Sequence, residues 1–276
     1  MNEPSLSSRP ESYCGRPAVP PAASAQQSKP SIPCGPAHIR DENGSMNDTG
    51  GHCGQRRSTA AVVQPARMSA MTPSLTRTLP RMARVLGEHA PASARCLRSP
   101  ASGDEIEAAQ ERMGVVFPAD LVEWFLFADG LEPKVGVGAL LPPMHLPPSA
   151  ARTVDLWQRR LEDSPVVDPV SENRSAGSAI QGFDRLFVPV GDDTTGDLFV
   201  ADLRPGEMRG CVLNWGQVDG HAGAPIWSSV TQMWADVAQA LETSALAGDC
   251  PDKDPHLTSN GCAAVFSESG VLEWEF

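Results

Sequence analysis

The sequence predicts an α+β domain, an antiparallel or mixed sheet flanked by helices, behind a disordered N-terminal extension. Three observations predict it. The stretch Phe187 to Leu203, FVPVGDDTTGDLFVADL, sets two apolar runs around an acidic, Gly-bounded turn, as a central β-hairpin does. Two helices announce themselves by capping boxes, Ser102 with Glu105 and Ser229 with Gln232. Residues 1–70 hold nine prolines and a single aromatic, Tyr13, too little apolar surface to offset chain entropy.

Length and composition bound the rest. The 276 residues make room for one substantial domain or two small ones. No apolar run approaches the roughly 20 residues of a membrane helix. The opening MNEPSLSSRPES lacks the basic and apolar regions of a secretory signal, and Arg56-Arg57 lie too deep for a twin-arginine signal. A cytoplasmic protein with no membrane contact is expected. Translation starting at Met68, Met71 or Met82 would remove most of the extension, and mass spectrometry of the endogenous protein tests that.

The net charge of −12 is uneven: residues 1–70 carry seven basic and five acidic residues, residues 71–276 carry 15 and 29. A folded part at −14 argues against direct nucleic-acid binding, where phosphates demand a basic face. It is compatible with a basic protein partner, or with solubility alone. The seven cysteines form no CxxC pair, and their odd number and wide spacing argue against a disulfide framework. Cys34, His38, His52 and Cys53 lie close together, but adjacent His52-Cys53 fits zinc spacing poorly. No metal or cofactor is expected.

Along the chain, residues 71–99 read as a short helix, Leu79 to His89 with Met82, Val85 and Leu86 on one face, and a linker. In the helix after Ser102, Ile106, Ala109 and Met113 form the apolar stripe and Gly114 the left-handed end. Pro118 opens a second helix whose Leu121, Val122, Trp124, Phe125 and Leu126 are apolar on nearly every side, which predicts deep burial. Asp129-Gly130 ends it. Residues 131–148 are Gly- and Pro-rich with room for a strand at Gly138 to Leu141, and Ala150 to Leu161 has helical spacing. Residues 162–182 read as a flexible insertion.

In the hairpin Leu186, Val188 and Val190 alternate on the first strand, and Leu198, Val200 with Phe199, Ala201, Leu203 line both faces of the second. Arg204 to Glu207 is a turn, and Cys211 to Trp215 a third strand of a meander. Val230, Met233, Trp234, Val237 and Leu241 make the last helix amphipathic. Residues 243–276 read as a polar linker, through residue 261, and a small hairpin about Ser269-Gly270.

Asp192, Asp193 and Asp197 are the first chemical candidates. Three carboxylates at a turn suit calcium, but the EF-hand pattern is absent. They could serve as acid and base of a hydrolase, contact a partner, or simply cap the turn. No GxSxG, HExxH, P-loop or GxGxxG occurs. His145 and His221 read as surface loop residues, and Cys211 as a small core group. Trp234 reads as core. Trp215 ends its strand, where a partly exposed indole competes with a core role.

The segment SGDEIEAAQERMGVVFPADLVEWFLFADG, with its step Gly114-Val115-Val116-Phe117-Pro118, resembles the opening helix pair of the SUKH superfamily. FVPVGDDTTGDLFVADL, then CVLNWGQ, then the helix after Ile226-Trp227-Ser228 resemble its strands and final helix. The resemblance covers residues 100–242. That superfamily includes the Smi/Knr-type cell-wall assembly regulator and bacterial immunity proteins. The resemblance implies a SUKH-like α+β fold and a non-catalytic, protein-binding role, in which an immunity protein neutralises a cognate toxin, often a basic nuclease. It leaves a regulatory or scaffold role as the alternative, with a carboxylate-dependent hydrolase behind it. The acidic hairpin and the neighbouring sheet edge then supply the expected partner contacts, Asp192, Asp193, Asp197, Asp202 and Trp215. The insertion, the N-terminal extension and the terminal LEWEF depart from the family pattern.

Overall fold

Residues 74–163, 175–249 and 254–276 are described by a computed structural model, and they belong to one unit, Ala66–Phe276. The extension of residues 1–70, the candidate zinc residues within it and most of the 162–182 insertion lie outside the described residues.

Five strands form one sheet, each pair antiparallel: β1 (Ile180–Gln181), β2 (Phe187–Asp192), β3 (Leu198–Asp202), β4 (Val212–Gly216) and β5 (His221–Trp227). Their order is β1-β5-β4-β3-β2, so β2 to β5 run as a meander and β1 crosses to the far edge. Every residue of β2 and β3 is buried. The two-residue alternation of strands explains how. Val188, Val190, Phe199 and Ala201 point into the larger core, while Phe187, Leu198 and Val200 point into a second cluster on the opposite face.

The larger core is completed by helices α1 (Leu75–His89), α3 (Gly103–Met113), α4 (Ala119–Phe127) and α6 (Val230–Asp249). Leu156 of α5 (Ala150–Asp163) closes the second cluster. The Ser102 box is formed in full, with Ser102 N–H donating to Glu105 at 2.7 Å, and Gly114 ends α3 at φ 67°. Ser229 Oγ accepts from Gln232 N–H at 3.0 Å at the start of α6.

Several elements depart from expectation. Helix α1 begins at Leu75, with Pro80 inside it; burial of Leu75 and Leu79 offsets the backbone bond that proline cannot make. A one-turn helix, α2 (Pro91–Ala94), stands in the expected linker. In α4 only Leu121, Trp124 and Phe125 are fully buried, and Leu126 is 50% exposed, because the helix packs by one face. No strand forms at Gly138 to Leu141. Pro142 and Pro143 supply no N–H for a ladder, so the chain doubles back, and Leu141 pairs with His145. Strand β5 was hidden by AGAP, four residues of low strand propensity. Helix α6 runs to Asp249, through residues 243–249 expected as linker; Ala245, Leu246 and Ala247 are strong helix formers that extend it.

The C-terminal hairpin forms from β6 (Ala263–Phe266) and β7 (Leu272–Glu275). It is joined to α2: Ala92 N–H donates to the Gly270 carbonyl at 2.8 Å, and Leu272 N–H to Ser93 Oγ at 2.9 Å. Among the described residues, no helix is long and apolar enough to cross a membrane.

Candidate functional site

The β2–β3 turn is held from within by its own carboxylates. Asp193 Oδ1 accepts the N–H groups of Thr195, Gly196 and Asp197 at 2.8, 2.8 and 2.9 Å, and Oδ2 accepts the Thr195 hydroxyl at 2.6 Å. Burial pushes the Asp193 carboxyl up, but the Thr195 hydroxyl and the amides of Gly196 and Thr195 outweigh it and hold its pKa low. Thr194 sits at φ 67°, a left-handed position, with its N–H on Asp192 Oδ1.

Neighbouring elements fix the turn from outside. Arg152 of α5 donates to Asp192 Oδ2 at 2.9 Å. Arg160, about two turns further along α5, donates to the Gly196 carbonyl at 2.9 Å and lies 5.3 Å over the Trp215 ring. Asp197 Oδ1 accepts Gln217 N–H at 2.8 Å. Asp192 and Asp193 are therefore buried, at 8% and 9% exposure, and Asp197 is half-buried; Thr194 and Thr195 face solvent.

The turn thus gathers three of the five expected contact residues. Asp202 and Trp215 are corrected to core positions. Asp202 is fully buried at the other end of β3, in a forked ion pair with Arg204 at 2.8 Å, and it also accepts Gly177 N–H. Trp215 is 3% exposed; its indole N–H donates to the Gly182 carbonyl and its ring stands edge-on to Phe183. Both faces of the sheet are covered here, so a strand end offers no solvent.

His145 is corrected as well. It is 5% exposed and lies flat on Phe199, ring centroids 3.7 Å apart, and neither ring nitrogen has a hydrogen-bond partner. Gly191 makes room, since a Cβ there would meet Phe199 at 3.0 Å and His145 at 3.2 Å. Burial lowers the His145 pKa to about 4, against the attraction of Asp193, Asp197 and Asp192. Cys211 is fully buried, and burial raises its thiol to about 11, so it is a core group without thiolate character.

Beside the turn runs a groove of about 590 Å³ that sequence reasoning missed. Its walls are the 131–139 loop, Thr194 and Thr195 of the turn, and β7. Val135 is fully exposed at the loop tip and Met144 is 61% exposed. Trp274 is half-buried and donates its indole N–H to the Ala139 carbonyl at 3.0 Å. Glu132 and Glu273 stand on the rim with Lys134. The available signal was a pair of large apolar residues in a Gly/Pro-rich loop with no periodic partners.

The model of the SMI1 / KNR4 family (SUKH-1) matches residues 100–236. The match spans two walls of the groove, the 131–139 loop and the turn, and stops before β6 and β7. No curated protein matches the chain.

Proposed function

The chain belongs to the SUKH superfamily, and from that premise we propose that it is a non-catalytic protein-binding module of the immunity type. It binds and neutralises a cognate toxin, a basic protein such as a nuclease, through the acidic surface around the β2–β3 turn. The observation that carries this reading is the use of the carboxylates. Asp193 holds four donors of its own turn, Asp192 holds Arg152 and Asp197 holds Gln217. A hydrolase would need two of them free to exchange protons with a substrate. Spent on rigidity, they instead present Thr194 and Thr195 to solvent on a fixed platform. The −14 of residues 71–276 supports a basic partner by drawing it in over long range.

A toxin gene immediately adjacent would support the reading, and co-expression with that toxin tests it. Rescue of growth, weakened by Thr194→Arg with Thr195→Arg, is expected; a wild-type chain that neither rescues nor binds the purified toxin overturns it. The second reading is a regulatory or scaffold role of Smi/Knr type, favoured by the family model that matches. It predicts stable binding to a housekeeping protein and no protection from any toxin.

A further inference from the structure

We propose that the groove between the 131–139 loop, the β2–β3 turn and β7 is the docking site for one extended segment of a basic protein partner. Its C-terminal wall, Glu273 and Trp274, selects that partner. The proposal rests on the protein-binding reading above and names the surface and the chemistry of its occupant.

Three side chains argue for an occupant. Val135 is fully exposed, Met144 is 61% exposed and Trp274 is half-buried, all on one groove. Scattered single exposed apolar residues need no explanation, but a cluster lining one concavity marks a contact surface. The space, about 590 Å³, is comparable to the roughly 300–1,000 Å³ of small-molecule pockets, which is room for a few side chains of an extended segment.

Charge selects the occupant. Glu132, Glu273 and Asp193 line the groove against Lys134 alone. Phosphate-bearing ligands are repelled by that set, whereas a segment alternating Lys or Arg with apolar side chains meets both the rim and the floor.

The walls are held before any partner arrives. Glu132 N–H donates to the Cys96 carbonyl at 2.8 Å and Leu131 N–H to Pro147 at 2.9 Å. Asn260 donates to the Pro142 carbonyl at 2.7 Å, and Trp274 clamps Ala139. Little ordering cost remains for binding. Because β7 lies beyond residues 100–236, this wall is not part of what the family model describes. Partner choice is expected to reside there.

A random-peptide library displayed on phage is panned on the full chain, and recovered peptides are synthesised and titrated. Sequences mixing Lys or Arg with large apolar residues are expected. Val135→Asp and Glu273→Lys, both at exposed positions, should each weaken them about tenfold or more. Glu88→Lys, on the exposed side of α1, should change nothing. Failure to recover a binder, recovery of acidic peptides, or equal affinity across all variants overturns the proposal. The cognate toxin separates the two readings. If it binds wild-type and both groove variants alike, the groove is excluded while protein binding stands. If peptides obey the groove variants but no toxin is bound or neutralised, the groove stands and the immunity reading fails.

Discussion

The indole N–H of Trp227 donates to Asp236 Oδ2 at 2.7 Å, and the same carboxylate ties down the segment that follows α6. Oδ2 also accepts Ser259 N–H at 2.7 Å, and Oδ1 lies 2.9 Å from His256 Nε2. One buried side chain on α6 therefore couples the end of the sheet to the C-terminal arm.

Asp236→Asn should destabilise the domain by about 1.5–3 kcal/mol, the worth of hydrogen bonds to a charged group. Hydrogen exchange should rise first in residues 256–275. Burial pushes the Asp236 carboxyl up, but the bonds from Trp227, His256 and Ser259 prevail and its pKa is lowered. Its contribution is thus present above the unfolded value, about 3.9, and is lost as pH falls through the lower folded value. Acid unfolding that is identical in the wild type and the Asn variant refutes this role.

His145 governs a different pH window. Its folded pKa of about 4 lies below an unfolded value of about 6.5. The unfolded chain takes up the proton first, so stability is full above about pH 6.5 and falls as pH drops toward 4. The loss is on the order of 3 kcal/mol. His145→Phe keeps a flat ring on Phe199 and forfeits no hydrogen bond. Urea titrations from pH 7 to 4 should show its stability nearly constant there; a parallel decline in both proteins contradicts the assignment.

The buried pair Asp202 and Arg204 should be intolerant of single changes. Asp202→Leu alone strands a guanidinium that is 1% exposed, and Arg204→Met alone strands a carboxylate at 0%. Each costs about 3–5 kcal/mol, whereas the double variant recovers much of the loss. Additive losses in the cycle would show that the two do not act as a unit.

These sites show what could be read from the residues and what could not. The hairpin, the Ser102 box and the α6 stripe are written in spacing a few residues long, and they formed where expected. Alternation assigned Asp202 and Trp215 to strands but could not say which face was wet, because here both faces are covered. Composition assigned His145 to a loop correctly, yet its burial depends on the pairing of Leu141 with His145 and Leu146 with Asp192. The groove required β7 and the 131–139 loop, more than 130 residues apart, to meet (Trp274 to Ala139 spans 135). No local pattern encodes such a meeting.

Gly138 tests that meeting directly. Its Cα faces the Leu272 carbonyl so closely that an added Cβ would collide with backbone. Gly138→Ala should cost about 1–3 kcal/mol and lift the C-terminal hairpin, exposing residues 262–275 to limited proteolysis. Unchanged cleavage kinetics would mean that the hairpin does not lean on this loop.

The bonds from Ala92 to Gly270 and from Leu272 to Ser93 join positions 178 and 179 residues apart, and they set an order on the protein's birth. Synthesis is vectorial, so α1 and α2 leave the ribosome long before the strand that closes on them exists. Until Leu272 emerges, the nascent chain carries an open seam along α2 and an incomplete wall beside the 131–139 loop. A chain that stops before β7 would have nearly all of its core but lack the Glu273 and Trp274 wall of the groove. Quality control in the cell would meet that product as a folded but unlatched protein, open to proteases at the unpaired β6.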